Sequence, residues 1–169
     1  MSDDGTIAYT IDEDEVIRST GGDWSLVGKE VIGTSLWDHI RSGALRDIYR
    51  ALFLRARDGE SVVFEYRCDS FTHRRFMRMT IDRADGGLTL ESILLDEIPR
   101  DEPLPVVAAS RGQNLVARCS VCNHYGVGPQ WVDIVDAVTA RKLLSDDRPV
   151  RTIHGVCPKC TQRLRTPGG

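Results

Sequence analysis

The chain has 169 residues, of which 41% are hydrophobic and 28% charged, with a formal net charge of −3. This is the balance of a globular protein, long enough for one ordinary domain or two small ones. It excludes a membrane-spanning helix, since no run approaches the roughly 18 apolar residues required. The N-terminus, Met1-Ser2-Asp3-Asp4-Gly5, is acidic with no apolar stretch behind it, so a cytoplasmic protein is expected. Charge is uneven along the chain. Residues 1–115 carry 14 basic and 21 acidic side chains, whereas residues 116–169 carry 8 and 4.

The first elements are short. Ile7–Ile11 is β-rich, and Val16–Ser19 is predicted to return against it after the acidic turn Asp12-Glu13-Asp14-Glu15. Val31-Ile32-Gly33-Thr34-Ser35 leads into a short helix over Leu36–Ile40, capped by Thr34 or Ser35. The clearest helix spans Ala44–Arg57. There Leu45, Ile48, Tyr49, Leu52, Phe53 and Ala56 recur every three or four residues, and Asp58-Gly59 supplies the stop.

Three alternating strands follow. One face carries Val62, Phe64, Tyr66 and Cys68; then Met77, Met79 and Ile81; then Leu88, Leu90, Ser92 and Leu94. With connections over Asp69–His73 and Arg83–Gly87, this period of two predicts an antiparallel meander with one face on a core. Cys68 reads as a small buried hydrophobe. Residues 96–114, with Pro99, Pro103 and Pro105, then read as an extended linker between a first domain (5–95) and a C-terminal module (115–169).

That module holds four of the five cysteines, as two Cys-x-x-Cys pairs: Cys119 with Cys122, and Cys157 with Cys160. Two such pairs can complete a tetrahedral sulfur shell for one structural zinc ion, closed to substrate and water. Disulfides, a redox dithiol and an iron–sulfur cluster are the competing readings. His154, three residues before Cys157, is the one alternative ligand. Some 55 residues bury little core, so metal would supply much of the module's folding energy. Leu115-Val116-Ala117 reads as a strand entering the first knuckle. Trp131 to Leu144 reads as mainly helical, and Cys160–Arg165 as a final helical turn, an arrangement similar to a treble clef.

A strand pair, small helices, one longer helix and a three-strand meander together resemble a PAS domain over about residues 5–95. The phrases Ile11-Asp12-Glu13-Asp14-Glu15-Val16-Ile17 and Val31-Ile32-Gly33-Thr34-Ser35-Leu36-Trp37-Asp38-His39-Ile40, and the turn Arg57-Asp58-Gly59-Glu60, carry the resemblance. The tail is similar to the four-cysteine segment that follows PAS domains in some bacterial sensor proteins. The fold expected is therefore α+β, a PAS-like antiparallel sheet with flanking helices plus a small zinc-stabilised module with one main helix. The resemblance implies a sensory or regulatory module, with a small cavity between sheet and helices for a ligand. Trp24 and Trp37 are candidates to fill that cavity. No flavin or haem motif is evident: Cys68 lies on a predicted strand, and neither His39 nor His73 lies on the long helix.

No phosphate-binding loop, nucleophile elbow or His-Glu-x-x-His motif occurs, so no enzyme is expected. Asp69-Ser70-Phe71-Thr72-His73 reads as a turn, not a catalytic triad. Three functions remain open. The first is a signalling module with one structural zinc ion, a protein partner or a second copy of itself, and an unidentified small ligand. The second is a nucleic-acid reader, which needs Arg141, Lys142, Arg148, Arg151, Lys159, Arg163 and Arg165 on one face. The third is a zinc–thiolate redox switch.

Overall fold

The computed structural model describes residues 5–22, 30–40, 42–70, 72–101, 114–141 and 150–166. The expected α+β composition is present, as two antiparallel-rich sheets and four helices among the described residues. No helix among the described residues is long and apolar enough to cross a membrane.

The chain opens with a hairpin of β1 (Thr6–Asp12) and β2 (Ile17–Gly22). Its acidic turn is organised by Asp12, whose Oδ1 accepts from the backbone N–H groups of Asp14 and Val16, each at 2.9 Å. A carboxylate satisfying backbone donors in this way is why acidic residues suit such a turn. Helix α1 (Leu36–His39) is capped by Ser35, which accepts from the Trp37 N–H at 3.3 Å. Helix α2 (Gly43–Arg57) is capped by Ser42, and Gly59 leaves it at a φ of 96° that favours glycine. Its apolar stripe buries Ile48, Leu52, Phe53 and Ala56.

Strands β3 (Val62–Arg67), β4 (His73–Ala84) and β5 (Gly87–Pro99) form the expected meander. The sheet order is β2-β1-β5-β4-β3, antiparallel throughout. One cross-strand row runs Val62, Ile81, Leu90, Tyr9, and every member points toward α2. Gly87 is required where β5 meets β1, because a Cβ there would lie 1.8 Å from the Ile11 carbonyl oxygen. Between sheet and α2 the rings of Trp37, Tyr49, Phe53, Phe64 and Tyr66 pack in tilted and edge-on pairs. Trp37 thus packs against this core, whereas Trp24 lies outside the described residues. Burial drives the Tyr49 phenol well above its ordinary pKa, and the Tyr66 hydroxyl donates to Ser92 at 2.9 Å.

Three details depart from the sequence reading. Cys68 is exposed, one residue beyond the end of β3 at Arg67. Residues 96–99, read as linker, are the end of β5 and pair with His73–Phe76 of β4. Pro99 is tolerated because β1 no longer flanks β5 at that point, so no second ladder needs its missing N–H. Trp131 and Val132 are strand, not helix.

The second sheet explains that last change. Its order is β8-β7-β6-β9, built from β6 (Asn114–Cys119), β7 (Tyr125–Val127), β8 (Gln130–Val132) and β9 (Val150–Gly155). Helix α3 (Ile134–Arg141) begins only after β8, and α4 (Pro158–Arg165) follows β9. Strands β6 and β9 are parallel, which requires the long crossover that contains α3. A small apolar group of Val116 and Ala137 lies within this half. The main core extends from Ile11, Leu52, Phe53 and Leu90 to Cys119, Val121, Cys157, Cys160 and Leu164.

Candidate metal centre

The parallel pairing of β6 and β9 brings the two Cys-x-x-Cys pairs together. Cys119 ends β6 opposite Gly155, and the Ser120 N–H donates to the Gly155 carbonyl at 2.8 Å. The first pair sits on a tight knuckle closed by Asn123 N–H to Cys119 O (3.0 Å) and Cys119 N–H to His124 O (2.8 Å). Asn123 adopts a φ of 58°, a conformation that asparagine accepts more readily than most residues. The second pair opens α4. Cys157 is its N-cap, Pro158 occupies the first turn where a missing N–H costs nothing, and Cys160 follows one turn on.

The sulfur atoms of Cys119, Cys122, Cys157 and Cys160 all lie within 4.8 Å of one another. Those of Cys122 and Cys157 are 3.8 Å apart. A tetrahedron with metal–sulfur bonds of roughly 2.3 Å has sulfur–sulfur edges of about 3.8 Å. The four thiols are unpaired as disulfides and could hold a single metal ion such as zinc. An iron–sulfur cube, with each thiolate on a different iron, would hold the sulfurs wider apart. Cys119, Cys157 and Cys160 are each less than 5% exposed; Cys122 is half-buried.

Backbone donors are already turned toward the sulfurs. The Cys157 N–H donates to Cys119 Sγ at 3.3 Å and the Cys160 N–H to Cys157 Sγ at 3.4 Å. Hydrogen bonds from Cys122 and then Cys160 draw the Cys119 thiol far below its ordinary pKa. The bond to Cys119 pushes Cys122 up to about 11, and the same partner leads the rise at Cys160. A cation replaces those shared protons, so binding must release them.

The site residues expected from sequence, Cys119, Cys122, Cys157 and Cys160, are therefore assembled in one place. His154 lies on β9 opposite Arg118, is exposed and stands outside the cluster. His39 Nε2 hydrogen-bonds Thr34 at 2.7 Å, and His73 Nδ1 hydrogen-bonds Thr72 at 2.8 Å. The turn reading of residues 69–73 is met by Ser70 N–H to His73 O at 2.9 Å. Of the seven cations a nucleic-acid reader would need, the side chains of Arg141, Lys142, Arg148 and Arg151 lie outside the described residues. Arg163 is engaged with the Glu65 carbonyl at 2.7 Å.

Periodicity and motif spacing gave no sign of the junction that seats the cluster. The Arg67 N–H donates to the Val121 carbonyl in the knuckle at 2.7 Å, and its guanidinium reaches Asp133 at 3.1 Å. Arg67 also pairs with Asp69, which in turn accepts from Arg100 at 2.8 Å. Asp69 and Arg100 are nearly buried. Burial alone would raise the Asp133 carboxyl, but hydrogen bonds from Arg67 and the Val135 N–H, with the Arg67 and Arg74 charges, hold it below its ordinary value. Beside this network, Asn123 Oδ1 accepts twice from Arg118, at 3.1 and 2.7 Å. Its buried Nδ2 has no partner among the described residues. An unmet buried donor costs about 1–3 kcal/mol. Asp69 sits in a turn and Asp133 sixty-four residues away, so only the fold discloses that they share one arginine.

Comparison with protein-family models, with curated proteins and with solved structures gives no match to this chain.

Proposed function

We propose that this protein is a non-enzymatic cytosolic regulatory module. In this reading a PAS-like half receives a ligand or protein partner, and one zinc ion on Cys119, Cys122, Cys157 and Cys160 fixes the second half against it. The observation that carries the reading is the four-sulfur cluster. Four thiolates at these separations leave no open coordination position, so a metal there maintains structure and does no chemistry. The PAS-like assignment is supported by element order: a hairpin, a short helix, a longer helix and a three-strand meander. Native mass spectrometry of protein purified without chelator tests it. One zinc per chain is expected, with any retained small molecule adding its own mass. Iron in place of zinc, or four thiols paired as disulfides, would overturn the structural-zinc reading.

One observation favours a second reading, the redox switch. Cys122 is half-buried and lines a cavity of about 460 Å³ with Trp131, Lys159 and Arg163. Metal binding would make Cys122 a thiolate despite its raised pKa when free, and an accessible thiolate beside cations is open to oxidation. Mild peroxide that releases metal and modifies Cys122 first would support the switch. Metal retained with all four thiols intact would exclude it.

A further inference from the structure

We propose that the cavity at the junction of the two sheets binds a small organic carboxylate, held by Arg118 and Asn123 against Ile134 and Tyr125. The cavity encloses about 320 Å³ and is also lined by Asp69 and Arg100. Its charge is not balanced. Asp69 is fully engaged: Oδ1 accepts from Arg67 and from the Arg75 N–H, and Oδ2 from Arg67 and Arg100. Arg118 faces no carboxylate among the described residues, since its Nε and Nη2 both donate to the neutral Oδ1 of Asn123. Among the described residues this half-buried guanidinium has no counter-ion, and its Nη1 has no hydrogen-bond partner.

The second observation is independent of charge. Asn123 is 6% exposed, and its Nδ2 is one of two buried side-chain nitrogens without an acceptor among the described residues. An anion entering the cavity supplies the missing acceptor and the missing counter-charge together. The walls decide its class. Two guanidinium groups and one carboxylate leave a single positive charge, which suits a monoanion. Buried Ile134 and the half-buried Tyr125 ring offer apolar surface that an inorganic ion would not use. Arg118 and Asn123 flank the Cys119–Cys122 knuckle, while Asp69 and Arg100 belong to the first sheet's end, so the ligand would touch both halves. The inference deepens the regulatory reading, on which its biological use rests, by naming a ligand class and site.

The probe is benzoate, titrated into the full, metal-loaded chain and followed by ¹⁵N NMR. Saturable shifts of the Asn123 side-chain amide and the Arg118 Nε–H are expected. Arg118→Gln should weaken binding at least about tenfold while retaining its metal. If that variant loses metal, Ile134→Ala carries the comparison, weakening benzoate severalfold and leaving acetate unchanged. Shifts that do not saturate, benzoate binding undiminished in metal-retaining Arg118→Gln, equal losses for benzoate and acetate in Ile134→Ala, or phosphate binding as tightly as benzoate would each overturn the proposal. The metal count of the wild-type chain scores the zinc reading separately.

Discussion

The two sheets stand on different foundations. The first has strands of 12 and 13 residues in β4 and β5, a helix of 15 residues across its face and an aromatic layer between them. The second has strands of three residues in β7 and β8 and an apolar group of its own built on Val116 and Ala137. One half can be held by burying apolar surface, because it has enough of it. The other has little of it, and its four clustered cysteines could hold a metal ion in its place. Composition alone hides this contrast, since both halves contain apolar residues at ordinary frequency. Only the first arranges them on a broad continuous face.

The largest effect that would break the comparison is metal removal. Chelation, or Cys160→Ser, should cost the second half on the order of 10 kcal/mol of apparent folding energy. Hydrogen exchange should then speed across β6–β9 while β4 and β5 stay protected. Equal loss in both sheets would show that the halves fold as one. The reciprocal perturbation is Phe53→Ala, which removes a ring that is 1% exposed from the shared core. A loss of about 3–5 kcal/mol is expected by denaturant unfolding, with the metal still bound in the folded fraction.

A third substitution addresses the seam. Arg67→Met leaves Asp69 to Arg100 but strips Asp133 of its closest cation. The expected cost is about 3 kcal/mol, because the arginine is largely desolvated and joins both halves. Exchange should rise first at Val121 and at the start of α3. A drop confined to β3 would show that the seam contributes little.

Acid should act at the same place, more gently. The Asp133 carboxyl is held below its ordinary value, so its contribution is complete above the unfolded carboxyl pKa of roughly 3.9. It is lost as pH falls through the lower folded value. The prediction is a seam that loosens only below about pH 4, and an Asp133→Asn variant that no longer shows that step. Metal loss begins at higher pH, since protons compete for the thiolates, so the two events can be separated by following metal content alongside unfolding.

How much of this was legible in the sequence varies by element. Helix α2 and the meander were legible because each buries one face, and the spacing of Ile48, Leu52 and Ala56, or of Met77, Met79 and Ile81, records which face. The β7–β8 hairpin was not, because three-residue strands are too short to show alternation, and Trp131 and Val132 merged with the helical pattern behind them. Cys68 misled because alternation cannot say where a strand stops.

That Cys119, Cys122, Cys157 and Cys160 could share one ion was legible in the sequence alone, because two residues between thiols suffice to turn both to one ion, whatever the surroundings. Which cations meet which carboxylates was decided only by tertiary structure. Arg67 serves Asp69 two residues away and Asp133 on another element, and Arg118 meets an asparagine instead of an acid. Local spacing governs contacts within a turn or a strand. Ion pairs and cavities across a seam depend on how separate surfaces are brought together, and no periodicity along the chain encodes that.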